Sequence, residues 1–125
     1  MSNEASKETT SKWRSLTERL IYGTSAGKLD WDDGPFEDSV ITSIKDVVIT
    51  LRRVDGDYWI TLSDQFGNVV DMFSDMQIHP LSDDTSAFHA MDGLFKNVKR
   101  KINGADALLD LLLNELPKEP DEFPF

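Results

Sequence analysis

The sequence predicts an α+β domain with an antiparallel sheet of four or five meandering strands, an N-terminal helix, and two C-terminal helices packed on one face of the sheet. Apolar residues near both ends of the chain recur with the period of a helix. Between them, short β-branched segments alternate with turn sequences. A chain of 125 residues is long enough for one hydrophobic core, so these elements are expected to form a single domain.

The first helix is predicted from the helical spacing of Trp13, Leu16 and Leu20. Its N-cap is predicted at Thr10 or Ser11, because a hydroxyl accepts a hydrogen bond from a free amide of the first turn. The polar residues before the cap have little to bury. We therefore divide the chain into three parts. They are a flexible N-terminal arm (residues 1–9), a folded α+β domain (10–116) and an extended, acidic, proline-rich tail (117–125).

The sheet is predicted from segments rich in β-branched and aromatic residues that lie between turn signals. Asp55-Gly56 favours a tight hairpin because both turn residues tolerate a positive φ. Alternation along the two strands of this hairpin predicts one buried face and one outward face. The predicted strands are residues 28–31, 40–44, 47–54, 58–62 and 69–73. The predicted outward residues are Thr50, Arg52, Trp59 and Thr61.

Two helices are predicted after the sheet, separated by the helix-breaking pair Asn103-Gly104. The first follows a cap at Asp84 or Thr85, and its apolar stripe would cover the sheet. The second ends at Pro117 and is richer in leucine, so covering the sheet is its expected role as well. The first stripe consists of Phe88, Met91, Phe95, Val98 and Ile102, and the second consists of Leu108, Leu109, Leu112, Leu113 and Leu116.

Thirteen basic and 23 acidic residues give the chain a formal charge of −10. This charge repels nucleic-acid phosphates and anionic lipids, so neither direct nucleic-acid binding nor membrane binding is expected. It suits attraction to a basic protein surface, and it also keeps a small protein soluble. The chain has no cysteine, no signal-peptide segment and no membrane-spanning run, so we expect a cytoplasmic protein without disulfides.

The residue types that commonly perform catalysis or hold metals form no complete site in the sequence. Residues 23–28 resemble a phosphate-binding loop, but the spacing is one residue short and the loop leads from a helix into a strand. His79 and His89 are the two histidines, and a helix would bring His89 near Asp92. Two ligands do not make a metal site. We therefore expect no catalytic residue, no metal site and no cofactor, and we predict that the chain is not an enzyme.

The densest group of carboxylates lies in a predicted acidic turn. Its spacing differs from the helix-loop-helix calcium pattern, which requires a Gly at the sixth position and a Glu at the twelfth. We interpret the group as a solvated turn and, secondarily, as an acidic binding face for a basic partner. It consists of Asp30, Asp32, Asp33, Glu37 and Asp38.

Arg52, Arg53 and Trp59 are close together on the predicted hairpin. An arginine beside an exposed aromatic ring is one way in which sheets stack single-stranded bases. The acidic charge of the chain opposes this function, and a helix or the N-terminal segment is an alternative cover for Trp59. The sequence leaves open whether these residues form a nucleic-acid surface.

The last five residues, Asp121, Glu122, Phe123, Pro124 and Phe125, place two acids before an aromatic residue, a proline and a C-terminal phenylalanine. This ending resembles the acidic tip of bacterial single-stranded-DNA-binding proteins. The resemblance implies a docking peptide of the kind that replication, recombination and repair enzymes recognise. It is confined to the tip, because the predicted order of helices and strands differs from the five-stranded barrel of that family.

The chemistry of the tip suits docking on another protein. The ring of Phe125 can fill an apolar pocket, and its α-carboxylate can accept charge-assisted hydrogen bonds from Arg or Lys. Pro124 limits the entropy that is lost on docking. In the alternative arrangement, Phe123 and Phe125 fold back into a groove of their own domain.

Three functional hypotheses follow from the sequence. The leading one is a non-enzymatic accessory or inhibitor protein of bacterial or phage DNA metabolism, whose partner is a replication or repair enzyme. The alternative is an antitoxin or immunity-type protein, whose acidic face neutralises a basic toxin or nuclease. The third is a small enzyme acting through His89 and carboxylates, which would have to meet in a concave pocket. The sequence does not determine the oligomeric state.

Overall fold

The α+β class is confirmed by the computed structural model, which describes residues 6–118. Within these residues the chain forms an N-terminal helix, then one antiparallel sheet, and then three more helices. The helices are α1 (Lys7–Ser25), α2 (Asp75–Ile78), α3 (Ala87–Ile102) and α4 (Ala105–Glu115). The strands are β1 (Asp32–Asp33), β2 (Ser39–Ile44), β3 (Val47–Val54), β4 (Asp57–Ser63) and β5 (Val69–Ser74).

The sheet is the predicted meander, with its strands adjacent in chain order from β1 to β5. The hairpin between β3 and β4 turns at Asp55 and Gly56, whose φ angles of 51° and 87° are both positive. Its register places Arg52 opposite Trp59. The prediction of a strand at residues 28–31 was wrong, because this segment does not pair with the sheet. A side-chain hydrogen bond attaches it to α1 instead. The Trp31 indole donates to Thr24 at the end of α1.

Both predicted helix caps were wrong by a few residues. The first helix begins at Lys7, and the Ser6 hydroxyl accepts from the Thr9 amide, so residues 7–9 belong to α1 and not to the arm. The later cap is Ser86, whose hydroxyl accepts from the His89 amide. In both places the chain offers several consecutive polar residues, and the sequence alone does not rank them.

The core lies between one face of the sheet and the helices α1, α2 and α3. Trp13 of α1 stacks on Phe73 with ring centroids 5.0 Å apart, and its indole donates to Asp71 at 2.9 Å. Each fully buried aliphatic or aromatic side chain stabilises the fold by about 1.5–3 kcal/mol. The largest completely buried apolar side chains include Val40, Leu51, Tyr58, Ile60, Phe73 and Met91.

The predicted covering role of the second C-terminal helix was wrong. Helix α4 has no buried residue, and no residue after Val98 belongs to the buried core of the part of the chain that the structure describes. Because α1, α2 and α3 already fill the covered face of the sheet, α4 has no sheet surface left to bury. The αL residue Gly104, with φ at 71°, ends α3 and starts α4 as predicted.

Candidate functional site

An exposed apolar surface lies on one side of α4. The five leucines predicted to cover the sheet form one face of the helix and are 47–66% exposed. Contiguous apolar patches of this kind on a monomer mark interaction sites. The charged side chains of α4 are all acidic: Asp106, Asp110 and Glu115. We call the five residues the leucine surface; they are Leu108, Leu109, Leu112, Leu113 and Leu116.

A groove of about 750 Å³ lies between α1, α3 and the loop before α3. Apolar and small residues line it together with polar ones, and its charged residues are Arg100 and Lys101 at the end of α3, Asp106 of α4 and Glu18 of α1. Arg100 also pairs with Asp106 of α4 at 3.0 Å, so the leucine helix starts beside this groove. We call it the α1–α3 groove. Its apolar and small lining residues are Ile21, Leu81, Ala90, Gly93 and Leu94.

Gly93 is one of several groove residues that sequence reasoning missed. It lies in the middle of α3, where glycine destabilises a helix by about 0.5–1 kcal/mol relative to alanine. A Cβ atom at this position would have nothing within 4 Å, so no packing inside the described domain requires a glycine. A glycine within a strongly periodic helical stripe was the available sequence signal.

The proposed nucleic-acid surface is divided between the two faces of the hairpin. Arg52 lies opposite Trp59, and its guanidinium carbon is 4.0 Å from the centre of the Phe36 ring. Arg53 points the other way, with its guanidinium carbon 5.8 Å from the Tyr58 ring centre. The structure therefore brings together Arg52 and Trp59 but not Arg53. The Arg52 Nε atom is buried and has no hydrogen-bond partner among the described residues.

The basic side chains of α3 are largely neutralised within the domain. Lys96 pairs with Asp92 at 3.0 Å, and Lys99 pairs with Asp33 at 2.8 Å. With the Arg100 pair, three of the four basic residues of this helix contact a carboxylate. These pairs favour a solvated helix face over a phosphate-binding patch.

All five residues of the predicted acidic face are exposed. Asp32 and Asp33 form the edge strand β1, and Asp33 is the member bound by Lys99. Asp38 has a φ of 55°, and its carbonyl accepts from the Arg53 amide. Within residues 6–118, no group of three or more His, Cys, Asp or Glu side chains is arranged to hold a metal ion.

Asp92 is held by residues other than His89. The Tyr58 hydroxyl donates to Asp92 at 2.5 Å, and Lys96 pairs with the second carboxylate oxygen. The Tyr58 hydrogen bond, with help from Lys96, holds the pKa of Asp92 below its usual range. Burial, followed by the same hydrogen bond, raises the pKa of Tyr58. His89 is exposed at the edge of the α1–α3 groove, and no carboxylate in the described chain bonds to its ring.

The segment resembling a phosphate-binding loop lies at the wrong end of a helix. Gly23 belongs to the last turn of α1, and Gly27 makes the following turn with a φ of 72°. A helix C-terminus presents carbonyl oxygens, whereas phosphate is held by the amides of a helix N-terminus. The segment is a turn, as its spacing predicted.

The tip, Asp121 to Phe125, lies outside the described residues. The chain leaves α4 through Leu116 and Pro117, and Lys118 is the last residue that the structure describes. None of the four helices within residues 6–118 combines the length and apolar character needed to cross a membrane.

Comparison with protein-family models, with curated proteins and with solved structures finds no match for this chain.

Proposed function

We propose that this chain is a non-enzymatic accessory or inhibitor protein of bacterial or phage DNA metabolism that acts in the cytoplasm. It docks through residues 121–125 into pockets that bind the tip of single-stranded-DNA-binding proteins. The observation that carries the proposal is that the core is closed before α4. Helix α4, which precedes the tip in the chain, buries none of its residues in the domain, so its apolar face is available to a partner.

The expected contact is weak. Burial of the Phe125 ring contributes about 1.5–3 kcal/mol, and each exposed ion pair of Asp121 or Glu122 adds about 0–1 kcal/mol. Together these contributions reach at most about 5 kcal/mol, and micromolar affinity needs about 8 kcal/mol. Micromolar is therefore an upper limit that requires the hydrogen bonds of the tip carboxylate as well, and the affinity should fall with salt because the ion pairs are screened. Competition with other tips, and not tight capture, is the mode of action that such an affinity supports.

The test is a binding titration against a purified repair enzyme that has a pocket for such tips. Deletion of Pro124 and Phe125 should abolish binding, and a synthetic tip peptide of a single-stranded-DNA-binding protein should displace the intact chain. Deletion of residues 1–5 is the matched control and should leave binding unchanged. Binding that survives loss of the last two residues would refute the proposal.

The exposed carboxylates of the acidic face favour a second function, neutralisation of a basic toxin or nuclease. Long-range attraction between opposite charges raises the association rate, and it is screened by salt. In this case the triple charge reversal of Asp32, Asp33 and Asp38 to Lys should slow association with the toxin, while loss of the tip should have no effect. The control reverses three exposed acids elsewhere, namely Asp46, Asp83 and Asp84. Equal slowing by both triple variants would show a net-charge effect and not a binding face.

A further inference from the structure

We propose that two copies of this chain associate reciprocally, with the leucine surface of each inserted into the α1–α3 groove of the other. This inference goes beyond the proposed function and does not depend on it. It assigns an occupant to two surfaces of the domain that are otherwise left in water.

The first argument is the unsatisfied apolar area. The five leucines of α4 are each close to half exposed or more, although the helix is well formed and strongly apolar. Most helical stability in proteins comes from packing of an apolar face, so an 11-residue helix without cover is marginal in water. Cover by another chain supplies the missing packing.

The second argument is the shape of the groove. Ala90 and Gly93 present almost no side chain where the groove runs along α3. The open space around Gly93 is unexplained within one domain. Small residues of this kind allow a second helix to approach closely, and an apolar helix in an apolar groove is a common mode of recognition.

The third argument is charge. Helix α4 presents Asp106, Asp110 and Glu115 and has no basic residue. The α3 side of the groove presents Lys101 and also Arg100, which already pairs with Asp106 of its own chain at the same groove. Pairing of two α4 helices with each other would bring like charges together, whereas insertion into the groove can bring Asp110 or Glu115 of one copy towards Lys101 of the other. Glu18 on the α1 side of the groove repels the acids of an inserted α4 and so favours an orientation in which they face the α3 side.

The fourth argument is closure. A stable interface buries roughly 800 Å² on each partner, which is more than one short helix offers. Reciprocal insertion gives every copy one helix and one groove, so both apolar surfaces are covered and the two-fold assembly is closed. Such a dimer would also carry two tips, which raises avidity for a partner with more than one pocket.

The test measures the oligomeric state of the full chain by sedimentation equilibrium over a range of concentrations. The wild type should be dimeric at micromolar concentration. Leu109→Glu with Leu112→Glu should weaken the dimer by well over tenfold, since each buried leucine contributes at least that factor. Gly93→Leu should do the same by filling the groove, since a Cβ atom at this position has nothing within 4 Å in its own domain.

Complementation separates the groove from other modes of pairing. A mixture of the α4 variant and the Gly93 variant retains one intact helix-groove contact and should form a heterodimer that neither variant forms alone. A dimer disrupted by the α4 variant but not by Gly93→Leu would indicate pairing of two α4 helices and would overturn the proposal. A wild-type chain that stays monomeric at all concentrations would also overturn it, and would leave the leucine surface to a different protein.

Cross-linking locates the contact, because the chain contains no cysteine of its own. Oxidation of a mixture of Leu112→Cys and Gly93→Cys chains should give a disulfide-linked heterodimer. The control mixture pairs Gly93→Cys with Met76→Cys on the exposed side of α2 and should give none. Equal cross-linking in both mixtures would contradict the proposed contact. Deletion of Pro124 and Phe125 should leave the dimer intact, so this proposal and the tip proposal can fail separately.

Discussion

Helices α3 and α4 are neighbours in the chain, both amphipathic, and yet their apolar faces lie in different environments. Helix α3 buries Met91, Leu94, Phe95 and Val98 against the sheet and α1, whereas the more leucine-rich α4 buries nothing. The difference is set by position and not by composition. Helix α3 contacts the sheet and α1, and α4 follows a left-handed turn after the core is complete. Hydrophobic periodicity predicts that a helix face will be covered, but it does not say by which surface.

The largest expected difference in stability between the two helices comes from replacing one leucine by alanine in each. Leu94→Ala should lower the free energy of unfolding by about 2–5 kcal/mol, because it leaves a cavity beside a side chain that is 4% exposed. Leu112→Ala should change it by less than about 0.5 kcal/mol at concentrations where the chain is monomeric, since its side chain already contacts water. Urea denaturation at low protein concentration measures both values. Similar losses for the two variants would show that α4 is part of the core.

A smaller effect is expected where α3 meets the sheet through a polar contact. Asp92→Asn should destabilise the fold by about 1.5 kcal/mol, because the carboxylate accepts a strong hydrogen bond from Tyr58. The folded pKa of Asp92 is lowered, so its stabilisation is present at neutral pH and is lost as the pH falls through the ordinary carboxylate range and below. The stability of the wild type should therefore fall below about pH 4 more steeply than that of the variant. Parallel curves for the two proteins would exclude this role of Asp92.

Tyr58 should show the opposite dependence at high pH. Its folded pKa is raised by burial and by Asp92, so the stabilisation is fully present below the ordinary tyrosine pKa and is lost as the pH rises from that value through the raised folded pKa. Above about pH 10, the midpoint temperature of thermal unfolding should fall more steeply with pH for the wild type than for Tyr58→Phe. A Tyr58→Phe variant with an unchanged alkaline profile would contradict this prediction.

The smallest effects are expected at the two glycines of the hairpin formed by α3 and α4, and they should have opposite signs. Gly104→Ala should destabilise the domain by about 1 kcal/mol, because its φ of 71° is unfavourable for a residue with a Cβ. Gly93→Ala should stabilise the monomer by about 0.5–1 kcal/mol, because alanine is the better helix former and the space is open. The denaturant midpoints of the two variants and of the wild type, measured at the same low protein concentration, give the sign of each change in stability. A destabilising Gly93→Ala change would mean that α3 needs its glycine within the monomer.

The elements that sequence reasoning located well are those fixed by local chemistry. The Asp55-Gly56 turn and the alternation of β3 and β4 gave the central hairpin, and Asn103-Gly104 gave the break between the last two helices. The short helix α2 was missed, because four residues are too few to show a helical period. The available sequence signal was the capping-box pair Ser74 and Gln77, whose side chain accepts from the Ser74 amide. These features depend on neighbouring residues only.

The parts that the sequence did not locate depend on contacts between distant segments. The contact between Arg52 and Phe36 depends on how the loop before β2 folds onto the sheet. The α1–α3 groove required the packing of two helices that are far apart in the chain. The pairing of Asp92 with Tyr58 instead of His89 likewise depends on how α3 lies on β4. Residue spacing gives no information on any of these distances.

The central claim, that the core closes without α4, is tested most directly by truncation after Asn103. Urea denaturation of the truncated chain and of the full chain should be compared at a concentration where both are monomeric. The account predicts a cooperative transition for the truncated chain, with a free energy of unfolding within about 1 kcal/mol of the full chain, because none of residues 104–118 is buried. A truncated chain that loses several kcal/mol, or that shows no cooperative transition, would contradict the account.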